Sequence, residues 1–155
     1  MVARSRVFFD TSVLLGGLIE MGPQSQAAQE IMSAIATGRL RGPHTAWHCC
    51  LEFYAVATRL PEELRLSPAD AWQLVDEEVL GRFNVQQLPD DERRSFFSSA
   101  VHDRLVGGRL YDAHIAAVAR LSRAEVVVTD NLRHFADLRH HGIEVVSAAK
   151  FAERI

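Results

Sequence analysis

The sequence predicts an α/β fold, a five-stranded, mainly parallel sheet covered by helices on both faces. Short apolar runs alternate with segments of helical periodicity along the chain, which is the pattern of such folds. The run EVVVT at residues 125–129 is apolar at consecutive positions, as in a strand buried on both sides. The run VFF at residues 7–9 has the same character but ends on Asp10. A carboxylate there is costly to ionise unless something compensates it.

The elements follow in order. Residues 6–10 read as the first strand, leading into a helix that reaches residue 20 and breaks at Gly22-Pro23. Residues 24–37 are helical, with Ala27, Ala28, Ile31 and Ile35 on one side, and Gly38 caps that helix. Residues 40–43 are expected to form the second strand. Residues 45–59 form a nearly all-apolar helix, expected to be central and buried, which Leu60-Pro61 ends. Ser67 is a good N-cap and Pro68 a good first residue for a helix running to Leu80. Residues 83–88 are the third strand. Asp90, Asp91 and Glu92 then favour the dipole of a helix expected to reach residue 106. Gly107-Gly108 separates it from a helix over 110–121. After the strand at 125–129 come a short helix over 132–140, closed by Gly142, and a last strand over 143–147. In parallel sheets, ligands bind beyond the carboxyl ends of the strands. Asp10, Thr129, Asp130 and Asn131 stand at such ends.

The 155 residues suit one domain, 1–155, with its own core. Apolar residues at 48% and charged residues at 24% are ordinary for a soluble protein. No apolar run approaches the roughly 20 residues that span a bilayer. MVARSRVFFD has neither the apolar stretch nor the cleavage site of a signal peptide, so a cytoplasmic location is expected. Cys49 and Cys50 are neighbours in a helical pattern, which argues against a disulfide between them and fits a reducing compartment. A net charge of −3 gives no bulk attraction to nucleic acid. Lys150 is the only Lys beside 16 Arg. That bias follows from Arg-rich codon usage and does not establish RNA binding, although Arg offers a planar fork for phosphate.

Most acids are solvated helix faces or dipole partners. Three resist that reading. Asp10 ends a buried strand, where an N-cap role is equally open. Glu52 is the only acid between Glu30 and Glu62, inside WHCCLEFYAVA; a salt bridge to Arg59 is its plainer alternative. Asp112, in LYDAHIAAVARL, shares a stripe with Ile115, Ala116 and Ala119. Three converging carboxylates would repel, and at least one pKa would rise. A hard divalent cation resolves the conflict, because Mg²⁺ takes oxygen ligands, keeps several waters and needs few carboxylates. His44 and His48 stand at i, i+4 but lack a HExxH pattern and read as structural. His114 is expected to face outward and His134 to hold its loop.

Taken together, FFDTSVLL, LEFYAVA, LYDAHIAAVA and VVVTDNLRHF resemble, in order and spacing, the PIN-domain nucleases, most closely the VapC-type toxins. The resemblance implies a three-layer α/β/α sandwich with strand order 3-2-1-4-5. It implies RNA cleavage with Mg²⁺ or Mn²⁺, leaving 5′-phosphate and 3′-hydroxyl ends, a cognate antitoxin and a homodimer. Asp10, Asp112 and Glu52 would hold the metal, Glu52 through water or as the base. Ser12 and Thr129 would steady the carboxylates. The family's fourth acid often lies two residues after the Thr, where this chain has Asn131. Alternation puts Thr129 and Asn131 on one side and Asp130 on the other. Asn131 or water is therefore expected to complete the site, with Asp130 second. Arg109 and Arg133 could reach phosphate, although solvated arginines are the plainer reading. Two rivals remain open from sequence. One is phosphoryl transfer to Asp10 in a receiver-like site, for which only Lys150 could serve as the Lys. The other is a non-catalytic RNA- or protein-binding module.

Overall fold

The computed structural model describes residues 5–155. The reading of the N-terminus as free of a targeting segment falls partly on residues 1–4, outside the described residues. Five strands lie in one parallel sheet: β1 (Val7–Phe9), β2 (His44–Ala46), β3 (Asn84–Gln86), β4 (Val126–Val128) and β5 (Glu144–Val146). Their order is β3-β2-β1-β4-β5, the expected 3-2-1-4-5. Helices cover both faces: α1 (Thr11–Leu18), α2 (Gln26–Ala36), α3 (Trp47–Ala57), α4 (Pro68–Leu74), α5 (Arg93–His102), α6 (Arg109–Leu121), α7 (Leu132–Phe135) and α8 (Ala148–Ala152). The strand order reverses between β1 and β4, so a crevice opens beyond their carboxyl ends.

β1 and β4 are buried throughout because both sheet faces are covered there. Phe9 meets Phe83 and Phe151 edge-on, with ring centroids 6.0 and 5.7 Å apart. α1 and α2 approach closely at Gly17, where an added Cβ would stand 2.2 Å from Met32 Cγ. The helix start at Ser67 is as expected: Ser67 Oγ accepts from the Asp70 N–H at 3.1 Å.

Three expectations are corrected. The second strand is His44–Ala46, not residues 40–43. Leu40 is buried, but its N–H donates to Ala34 O and closes off α2 instead of joining the sheet. The following helix therefore starts at Trp47. That helix, α3, is not wrapped by protein. Cys49, Cys50, Phe53 and Ala57 face inward, while Trp47, Leu51 and Tyr54 are exposed. The helix after Asp90 begins as a 3₁₀ turn and stops at His102 rather than residue 106. Arg104 takes a positive φ of 54° there, and the Leu105 N–H turns back to Ala100 O.

Candidate active site at the β1–β4 crevice

Asp10, Glu52 and Asp112 all line one open cavity of about 530 Å³, together with Ser12, Arg109, Asn131 and His134. They come from the end of β1, the middle of α3 and the first turn of α6. The sheet order brings β1 beside β4, and thereby Asp10 beside the Thr129 loop.

Asp10 occupies the N-cap position of α1, but its side chain makes no cap bond. The helix N–H groups of Val13 and Leu14 go to its backbone carbonyl instead. Its carboxylate is 3% exposed and receives two hydroxyls at Oδ2, Thr129 Oγ1 at 2.9 Å and Ser12 Oγ at 3.1 Å. Burial pushes its pKa up, the hydroxyls and the Thr11 N–H pull it down, and the charge of Glu52 pushes it up again. Both hydroxyls are fixed in turn as acceptors. Asn131 N–H donates to Thr129 Oγ1, and Asp130 N–H to Ser12 Oγ.

Asp112 lies in the first turn of α6 yet does not cap it, since the Asp112 N–H goes to Gly108 O. Its Oδ2 stands 2.8 Å from His134 Nδ1. Burial raises its pKa, His134 and Arg109 lower it, and Glu52 raises it. Glu52 thus acts on both aspartates. Arg59 is not its partner among the described ion pairs.

Asn131 lines the cavity, whereas Asp130 does not. Asp130 Oδ1 accepts from the Ala148 N–H at 3.2 Å, tying the loop to α8. Arg109 lines the cavity and Arg133 is exposed outside it. Lys150 is exposed on α8 and away from the cavity, which leaves a receiver-like site without its lysine. His134 is expected from sequence to hold its loop, and in the structure it reaches Asp112. Its reach to Asp112 had no local signal, because its partner lies on another helix.

No metal is part of the structure, so fit is judged from the donors. Among the described residues, no three His, Cys, Asp or Glu groups form a ready-made cage. The described side-chain donors fall on one oxygen of each aspartate, Oδ2 of Asp10 and Oδ2 of Asp112. A hard cation that keeps most of its waters fits this all-oxygen set, and a closed cage does not.

A second cleft, of about 400 Å³, is lined by other side chains of α3 and α6 together with α5. His48 stacks on Tyr111, centroids 5.1 Å apart, and meets His114 edge-on. His114 therefore faces this cleft, where it also meets Phe96, rather than solvent as expected.

Comparison with known proteins fits this architecture. The PIN domain family model matches residues 6–133, and the chain belongs to that family. Within it the chain is of VapC type. It is 35% identical over 103 residues to ribonuclease VapC27 of Mycobacterium tuberculosis, covering 66% of this chain and 72% of the relative. The crystal structure of M. tuberculosis VapC20, described as a Sarcin-Ricin loop cleaving toxin, superposes with a TM-score of 0.62 at 16% identity. That match covers 84% of this chain and 93% of VapC20. VapBC-1 of nontypeable Haemophilus influenzae gives 0.58 at 15% identity, covering 92% and 98%. These structures support the fold alone.

Proposed function

We propose that the protein is a Mg²⁺- or Mn²⁺-dependent ribonuclease, the toxin of a type II toxin–antitoxin pair acting in the cytoplasm. The observation that carries this reading is the convergence of Asp10, Glu52 and Asp112, from three distant segments, on one crevice at the strand-order reversal. The ribonuclease named among the relatives supports an RNA substrate, and membership of the VapC type supports an antitoxin partner. Among the described residues, no helix is long and apolar enough to cross a membrane.

The residues divide the work as follows. Asp10 and Asp112 would hold the metal through their carboxylates. When bound, the metal lowers the pKa of a water and offsets charge at the scissile phosphate. Glu52 holds and deprotonates the attacking water. Ser12 and Thr129 fix the Asp10 rotamer through hydrogen bonds to Oδ2. Asn131 completes the polar wall, and Arg109 at the cavity rim pairs with substrate phosphate. We also propose a homodimer. Trp47, Leu51 and Tyr54 recur at i, i+4, i+7 on α3, and Phe97 and Val101 at i, i+4 on α5, all exposed. Trp47, Leu51 and Phe97 line one cleft, and exposed apolar surface of this kind marks a protein interface.

The test is Mn²⁺ titration calorimetry on wild type and Asp112→Asn, at pH 7 and pH 5. Binding that is lost in the variant and weakened at pH 5 is the expected result, because protons compete for the carboxylates. A wild type that binds no Mn²⁺ overturns the metal reading.

A further inference from the structure

One short stretch, Thr129 to His134, touches two of the three carboxylates. At its start, Thr129 Oγ1 donates to Asp10 Oδ2 at 2.9 Å. At its end, His134 Nδ1 lies 2.8 Å from Asp112 Oδ2. The stretch is braced from within. Asn131 N–H donates to Thr129 Oγ1 at 3.0 Å, and His134 N–H donates to Asn131 O at 3.0 Å. It is also braced from outside, by Asp130 against Ala148 and by Phe135, which is buried directly after His134. On its own helix Asp112 caps nothing, and Arg109 three residues earlier acts on it through charge, so the described contact that fixes its carboxylate is the one from His134.

We propose that His134 is a positioning residue for Asp112: its Nδ1–H holds Oδ2 and leaves Oδ1 turned to the metal. The proposal rests on the metal-dependent reading above. A carboxylate oxygen only accepts, so Nδ1 must carry the hydrogen and the imidazole acts as a fixed donor. Groups one step removed from a metal commonly set ligand orientation in this way, and their loss costs about ten- to a hundredfold in metal affinity. The β4–α7 loop and the first turn of α7 then align both aspartates, one through the Thr129 hydroxyl and the other through the His134 imidazole.

The experiment compares wild type with His134→Asn, His134→Gln and His134→Ala. The Asn amide nitrogen stands near the place of Nδ1, whereas the Gln amide reaches to the place of Nε2. Mn²⁺ alone is titrated by calorimetry into each protein, with thermal melts as the control for folding. The expected result is Mn²⁺ affinity lowered about tenfold or more in Ala and Gln and kept within about threefold in Asn. A merely structural staple between α7 and α6 would lower the melting temperature without following this order. The proposal is overturned if Ala binds Mn²⁺ as tightly as wild type, or if Asn and Gln are equally impaired. Should Ala fail to fold, the Asn–Gln comparison decides. A wild type that binds no Mn²⁺ removes the metal reading itself, a result distinct from equal binding by wild type and Ala.

Discussion

Helices α3 and α6 each carry two opposed environments. One is the polar crevice, to which they bring Glu52, Arg109 and Asp112; the other is the apolar cleft, to which they bring Trp47, His48, Leu51 and Tyr111. In the crevice, both hydroxyls on Asp10 donate to it and accept from a loop N–H, while the buried Thr11 hydroxyl has no partner. In the cleft, large apolar side chains lie open, Leu51 52% and Phe97 58% exposed. The crevice holds more negative charge than the protein offsets, and the cleft holds more apolar surface than the protein covers. The proposed metal would relieve the first imbalance and the proposed second copy the second.

The sharpest way to break this comparison is Asp10→Asn. The change is nearly isosteric and keeps an acceptor for Thr129 and Ser12. RNA cleavage should fall by more than about a hundredfold, the upper range for residues one step removed from a metal. Metal-free stability should move the other way. Burial raises the folded-state pKa of Asp10 above its unfolded value. The charged form therefore destabilises the fold above the folded pKa, and that penalty fades as pH falls through it. In differential scanning calorimetry without metal, Asp10→Asn should melt above wild type at pH 7, with the gap closing at lower pH. Added Mn²⁺ should raise the wild-type melting temperature by mass action and leave the variant unmoved. Retained cleavage would sink the assignment of Asp10.

A smaller effect is expected at the other cleft. Phe97→Asp places a charge on the open apolar face and touches none of the crevice residues. Sedimentation velocity should show wild-type dimers and variant monomers at the same concentration. Loss of a central anchor costs about 2 kcal/mol or more, roughly a thirtyfold weaker dimer. An unchanged sedimentation coefficient would leave the cleft without a second copy as its occupant.

The two regions also differ in how far the sequence announced them. Asp10 stood out because a buried run ended on it, and Glu52 because its surroundings held no other acid. Asn131 lines the cavity and Asp130 does not, as two-residue alternation predicts, although β4 ends at Val128 and the loop geometry sets both directions. The strand His44–Ala46 escaped notice because three residues, one of them His, carry no apolar run. Its place is set by pairing with Phe8 on one side and Asn84 to Gln86 on the other. The end of α5 was missed because Arg104, not glycine, takes the left-handed turn. The apolar sequence of α3 predicts burial all round, but Trp47, Leu51 and Tyr54 are exposed, because an apolar pattern does not say which faces other elements cover. The His134–Asp112 contact spans two helices and left no local mark.

Asp130 gives the finest test of the crevice. Its side chain is outside the cavity, yet its Oδ1 ties the β4–α7 loop to the Ala148 N–H, and its own N–H holds Ser12. Asp130→Ala removes the first bond and keeps the second. One hydrogen bond of this kind contributes about 1 kcal/mol, or a shift of about 3 °C for a chain of this size. Because the loop presents Thr129 to Asp10 and leads into α7, which presents His134 to Asp112, RNA cleavage should fall only a few-fold, through slackened positioning. Mn²⁺ affinity should fall with it. Asp130→Asn, which keeps an acceptor for Ala148, should restore both. If Asp130 were a metal ligand, Asn would be as damaged as Ala, and the loss in each would approach that of Asp10→Asn. The ratio between the two variants therefore separates an anchor of the loop from a member of the site.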